Sequence, residues 1–230
     1  DYALPMGRTA VPLHITVPDP RLWWPNGMGD QPLYRLTACV RMGEATCDEL
    51  EQTIGLRTVE IDRAPLVDGS RFCLRVNGEE VFCRGGNWAP PDMIPARVTP
   101  ERLQALVAEA KNAHFTMFRM NGVGYYEDDA FFDACDRAGI LLWQDFTFAC
   151  MTYPDDDPAF RAAVAEEAAK VVSRLRHHPA LAVWCGCNES IWLNSNGKDP
   201  YTLGGIHLFG QVLPDVCRRL AADLVPKGIK

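Results

Sequence analysis

Along residues 1–62, apolar positions come in short runs rich in β-branched and aromatic residues, Val11–Val17, Leu33–Arg41 and Glu49–Ile61. Clusters such as Trp24-Pro25-Asn26-Gly27 separate them. Runs of this length bounded by Pro, Gly, Asn and Asp are strand signals. No helical period intervenes, so the stretch predicts part of an antiparallel sandwich. The polar Asp62–Ser70 follows, and then Asn77-Gly78 divides Phe72–Val76 from Val81–Arg84. Asn-Gly tolerates positive φ at both positions, as a type I′ hairpin turn requires. A domain boundary is expected near Arg63.

Beyond the hairpin the rhythm becomes strand and helix in alternation. Thr99-Pro100 predicts a helix start, with Leu103, Leu106, Val107 and Ala110 on one face. Thr116–Met120 reads as a strand, Glu127-Asp128-Asp129 as a helix start and Gly139 as a left-handed C-cap. Ile140–Trp143 is a buried strand. A third helix opens at Asp157-Pro158 and carries Phe160, Val164, Ala168, Val171, Val172 and Leu175 on one side. The run from Ala182 then ends abruptly at Asn188-Glu189, and a further helix is expected from Pro214 to Leu224 after a loop through Asn194-Ser195-Asn196-Gly197.

Near-continuous apolar strands alternating with helices describe a parallel sheet covered by helices. A (β/α)8 barrel and a doubly wound sheet both fit. Gly122-Val123-Gly124 follows a strand like a dinucleotide fingerprint, but Glu127 stands at the third glycine position. Its charge opposes the pyrophosphate that a helix N-terminus attracts, so the glycines are read as a tight turn and no cofactor is expected.

Composition narrows the chemistry. The chain has 230 residues and a net charge of −7, with no Lys/Arg run that could track a phosphate backbone, which argues against nucleic acid. The apolar runs are of strand length, far short of a membrane span, and the opening Asp1–Pro5 lacks signal-peptide blocks. Nine cysteines scattered through apparent strands and helices favour reduced thiols and a reducing, cytoplasm-like compartment. Cys185 and Cys187 have no second ligand pair at zinc spacing, so no metal is expected. His177-His178 before Pro179 reads as a helix end where partial positive charge suits the dipole.

If the strands are parallel, their C-terminal tips share one cleft. The first offers Arg84, Asn87 and Trp88, the second Arg119 and Asn121, the third Trp143 and Asp145, and the fourth Asn188 and Glu189. Indoles beside amides, carboxylates and guanidinium groups suit a carbohydrate, with stacking for ring faces and hydrogen bonds for hydroxyls. Glu189 can then protonate a leaving group. The plainer alternative has Trp88 and Trp143 in the core, Arg119 paired structurally with Asp145, and Glu189 merely meeting water. No Gly-x-Ser-x-Gly, phosphate-loop or His-Glu-x-x-His motif competes.

Leu22–Gly27 with Gln31–Tyr34, Gly55–Val59, Cys83–Trp88, Gly139–Phe146, Tyr153–Pro158, Arg176–Pro179 and Trp184–Glu189 closely resemble glycoside hydrolase family 2, in its β-mannosidase-like branch. The resemblance implies a partial immunoglobulin-like β-sandwich over 1–62, followed over 63–230 by the first half of a (β/α)8 TIM barrel. It implies a retaining exo-β-glycosidase, foremost a β-mannosidase. Glu189 would be the general acid/base and Asn188 the partner of the sugar 2-hydroxyl. Arg119 would lie beneath the sugar, with Trp88, Trp143 and Asp145 as walls and hydroxyl contacts, and Asn87 and Asn121 nearby. Galactosidase, glucuronidase and exo-glucosaminidase activities are the alternatives within the family, and a non-catalytic carbohydrate-binding fragment is the alternative outside it. Asn121 stands where an indole is frequent among relatives and Ser190 where an amide is common. Family members also carry a preceding β domain and a second half-barrel with the nucleophilic Glu. The 230 residues are therefore expected to be an internal fragment, inactive alone, whose partners are the rest of the parent polypeptide and a β-glycoside.

Overall fold

In a computed structural model the fold is described for residues 7, 9, 11–191 and 207–222. The expected loop at Asn194–Gly197 lies outside them. The first part of the chain is an antiparallel pair, β1 (Tyr34–Met42) and β2 (Ala45–Ile54). Glu49–Ile61 is two strands, since the backbone breaks at Gly55 before β3 (Val59–Asp62). A Cβ on Gly55 would sit 2.6 Å from the Pro179 ring, so only glycine lets this segment pass. Val11–Val17 forms no strand, and Leu13 and Ile15 are each 68 % exposed. A strand needs a neighbour for its N–H and C=O groups, and none is present here among the described residues.

The polar stretch folds into a minimal hairpin, β4 (Pro65–Leu66) with β5 (Gly69–Ser70). The Asn-Gly hairpin forms as expected: β6 (Cys73–Val76) and β7 (Glu79–Val81) flank Asn77 and Gly78, whose φ values are 51° and 85°. β3 precedes the expected boundary yet pairs with β6 beyond it.

Then comes a four-stranded parallel sheet of β8 (Gly85–Trp88), β9 (Met117–Met120), β10 (Leu141–Asp145) and β11 (Leu181–Cys185), in that spatial order. Spatial order equal to chain order, with right-handed crossovers, puts the helices on one side and describes a section of a barrel. A doubly wound sheet would reverse direction. The connecting helices are α1 (Pro100–Asn112), α2 (Asp129–Ala138) and α3 (Pro158–Leu175). Thr99, Asp128 and Asp157 cap their N-termini by side-chain hydrogen bonds, and Gly139 closes α2 at φ 78°. Glu127, expected in the first turn of α2, instead lies buried before it and accepts the Trp88 indole N–H at 2.9 Å. The last helix among the described residues, α4 (Leu213–Leu220), whose expected end at Leu224 lies outside those residues, continues a π-helical segment over Leu208–Val212. The Asp155 carboxylate receives the His207 and Leu208 N–H groups at its start.

His177-His178 directly follows the C-cap of α3, Arg176, as expected of a helix end, but neither ring serves the dipole. His178 is 2 % exposed, with Nδ1 2.6 Å from Asp136 Oδ2. Burial, and then the neighbouring His178, push the pKa of His177 down to about 4, so it carries no charge for the dipole near neutral pH.

Candidate active site

Cross-strand register decides what faces the inside of the curved sheet. Asn87 pairs with Arg119, Arg119 with Trp143, and Trp143 with Val183. Alternate residues share a face, so these four line one side, and Trp88, Met120, Gln144 and Trp184 the other. Gly85 opens β8 because a Cβ there would meet the Met117 carbonyl oxygen at 1.7 Å.

On the inner face Arg119 takes Asp145 with two nitrogens, Nε to Oδ1 at 3.2 Å and Nη2 to Oδ2 at 2.7 Å. Asp145 is fully buried and also accepts the Gly122 N–H at 3.2 Å. Burial pulls the guanidinium pKa down, but the hydrogen bond and charge of Asp145 outweigh it and hold it above its ordinary value. The Gly122–Gly124 turn is closed by Gly124 N–H to the Asn121 carbonyl and by Val123 N–H to Asn121 Oδ1.

Asn188 joins this group from the end of β11. Its Oδ1 accepts Arg119 Nη2 at 3.1 Å and Asn121 Nδ2 at 3.2 Å. The backbone fixes it too: Asn188 N–H donates to the Phe148 carbonyl at 2.8 Å, and Cys150 N–H to the Asn188 carbonyl at 2.9 Å. Glu189 follows, exposed, in the left-handed region at φ 61°. The structure thus brings Arg119, Asn121, Asp145, Asn188 and Glu189 into one connected cluster. The Arg119 guanidinium also lies 6.0 Å from the Trp143 ring centroid.

Other expected residues go elsewhere. Asn87 is on the inner face but exposed, on the edge strand β8. Trp88 turns outward, its ring 4.6 Å from Phe131 of α2 and 5.1 Å from Phe118, so the period of two places it in the helix-facing core. Arg84 precedes β8, at the opposite end from the cluster, where its N–H donates to Thr116 Oγ1. Ser190 is fully buried. Trp143 also borders an apolar cavity of about 410 Å³ lined by Ile61, Phe72, Leu74, Val81, Met117 and Val183, toward the strand N-termini.

Cys150 was not legible as part of the site. Its thiol lies between Asn188 and Glu189, accepting from Asn188 Nδ2 at 3.4 Å and donating to Glu189 Oε2 at 3.5 Å. Loop paths carry no period, so nothing in the spacing announces it. All nine cysteines are free, and burial, with Asp145 next, pushes the Cys185 thiol up to about 11. Among the described residues two groups, Asp133/Asp136/His178 and Asp155/Asp156/His207, have ligand atoms close enough for a cation. Asp136 is already bound to His178 and the Ala180 N–H, and Asp155 caps the segment leading to α4.

Comparison with known proteins bears directly on this geometry. Residues 4–57 match the model for glycosyl hydrolases family 2, and residues 119–204 match that family's TIM barrel domain. β-Mannosidase B of Aspergillus flavus is 40 % identical over 222 residues, covering 91 % of this chain and 26 % of that protein. β-Mannosidase B of Emericella nidulans is 39 % identical over 173 residues, covering 75 % of this chain and 20 % of that protein. The crystal structure of the β-D-mannosidase from Dictyoglomus thermophilum superposes with a TM-score of 0.84 at 38 % identity, covering 90 % of this chain and 26 % of that one. The chain thus spans roughly a fifth to a quarter of the length of these relatives. It belongs to glycosyl hydrolase family 2, and carries part of the sandwich domain followed by part of the TIM barrel domain.

Proposed function

We propose that the protein is a retaining exo-β-glycosidase that acts on β-mannosides, with Glu189 as its general acid/base. The observation that carries this reading is an exposed carboxylate at the tip of β11, beside an amide clamped by Arg119 and Asn121. The β-mannosidase relatives support the choice of sugar.

In this reading Glu189 donates its proton to the glycosidic oxygen as the bond to the anomeric carbon breaks. A second carboxylate outside this chain attacks that carbon, and Glu189 then takes a proton from the water that releases the sugar. Asn188 has Oδ1 engaged, so its amide N–H hydrogens face Cys150 and the sugar 2-hydroxyl. Arg119, held by Asp145, presents fixed positive charge beneath the sugar. Such preorganised charge stabilises the charge developing in the transition state without reorganisation. Trp143 and Asn87 border the sugar from the inner face. Trp88 supports the site from behind through Glu127 and Phe131. The division into 1–62 and 63–230 belongs to the same reading, with β3 reaching across it.

The test is a panel of 4-nitrophenyl β-glycosides on the protein expressed from its complete coding sequence, with the product anomer followed by NMR. Mannoside turnover at least about tenfold above the galactoside, glucuronide and glucosaminide, with β-mannose released first, is expected. Preference for another sugar, or release of the α anomer, contradicts it.

A further inference from the structure

Resting on the assignment of Glu189 as acid/base, we propose that Cys150 is a positioning residue that aims the Glu189 carboxyl at the glycosidic oxygen. Arg119 and Asn121 both donate to Asn188 Oδ1, which fixes the amide so that Nδ2 points at the Cys150 sulfur. A sulfur that accepts there has its S–H left for Glu189 Oε2, so the chain of hydrogen bonds has one direction. The backbone keeps both ends of the contact in place. Ala149 and Asn188 form a parallel bridge, made by the Asn188 N–H to the Phe148 carbonyl and the Cys150 N–H to the Asn188 carbonyl, and Ala149 N–H donates to the Tyr153 hydroxyl at 2.9 Å. Cys150 and Glu189 both sit at left-handed φ, 49° and 61°, which non-glycine residues seldom adopt. An exposed Glu side chain has three rotatable bonds, and one donor on Oε2 selects among its rotamers.

The effect falls on substrates that need a proton. Breaking an alkyl or glycosyl bond requires the acid, whereas dinitrophenolate leaves unaided. The experiment measures kcat/KM for β-mannobiose and for 2,4-dinitrophenyl β-mannoside with the protein from its complete coding sequence, in the native form and as Cys150→Ala and Cys150→Ser. Cys150→Ala should lose about tenfold on mannobiose and less than about twofold on the dinitrophenyl substrate. Cys150→Ser, which keeps a donor, should restore the mannobiose value to within about threefold. The ratio of two kcat/KM values from one preparation is independent of how much protein folds. Equal losses on both substrates, no loss on either, or an alanine-like serine variant would overturn the proposal. Glu189→Gln is run beside them: if it hydrolyses mannobiose at the native rate, the acid/base assignment itself fails. If it is dead while Cys150→Ala is native-like, only the role of Cys150 falls.

Discussion

The Trp23 indole N–H donates to the Asp136 carbonyl at 2.8 Å, joining residues 113 positions apart. Asp136 also binds the Ala180 N–H and His178 through its carboxylate, so one residue ties the first part of the chain to α2 and to the entry of β11. Asn26 and Arg57 reinforce the joint: the Asn26 amide donates to the Lys111 and Phe115 carbonyls, and the Arg57 guanidinium to those of Pro179 and Leu181. Trp23 is wholly buried. Trp23→Phe keeps most of the ring but orphans the carbonyl, and should cost about 1 kcal/mol. Trp23→Ala should cost about 3–5 kcal/mol. Urea midpoints of the two variants check both values.

His177 gives stability a pH dependence with a defined sign. Its pKa is about 4 when folded against 6.5 ordinarily, so the unfolded chain binds a proton that the folded chain refuses. This contribution is fully present above pH 6.5 and is lost as pH falls from 6.5 toward 4. The fall in urea midpoint between pH 7 and pH 5 should shrink in His177→Gln. An unchanged fall would contradict the burial argument.

Arg119 and Asp145 are tested by removing one at a time. Asp145→Ala leaves the Gly122 N–H and a half-buried guanidinium without their acceptor, and should lower stability by about 2–4 kcal/mol. Asp145→Asn, which keeps an acceptor oxygen, should lower it less. Denaturant unfolding monitored by tryptophan fluorescence distinguishes them.

Much of this arrangement was legible because it follows from local rules. Thr99 is an N-cap and Gly139 a C-cap as their positions suggested, α3 opens at Asp157-Pro158, α2 starts within the expected acidic run although one residue of it, Asp128, is the cap, and Asn77-Gly78 makes its hairpin. Arg119, Asp145, Asn188 and Asn121 were placed at strand tips by counting apolar runs, and the parallel order brings them together. What failed was what depends on partners. Val11–Val17 has strand residues but no neighbouring strand among the described residues, and His178 lies past the end of α3 as its position suggested, but its buried partner Asp136 is 42 positions away and no local rule announces it. Trp88 and Asn87 are adjacent in sequence, and only the register with Met120 and Arg119 separates core from cleft.

Gly85 makes the register testable. The Met117 carbonyl oxygen occupies the space of any Cβ there, so Gly85→Ala must push β8 from β9 and should cost about 3 kcal/mol. Gly86→Ala, where nothing lies within 4 Å of the added carbon, should cost far less. Equal losses in thermal unfolding would mean that the pairing is wrong.

The most direct measurement is azide rescue of Glu189→Ala in the protein expressed from its complete coding sequence. If Glu189 supplies the proton and later activates water, the variant should lose about 100-fold or more on β-mannobiose. Azide should then speed its turnover of 2,4-dinitrophenyl β-mannoside and yield β-mannosyl azide. Native-like hydrolysis of mannobiose, or a crippled variant that azide does not help, would contradict the assignment.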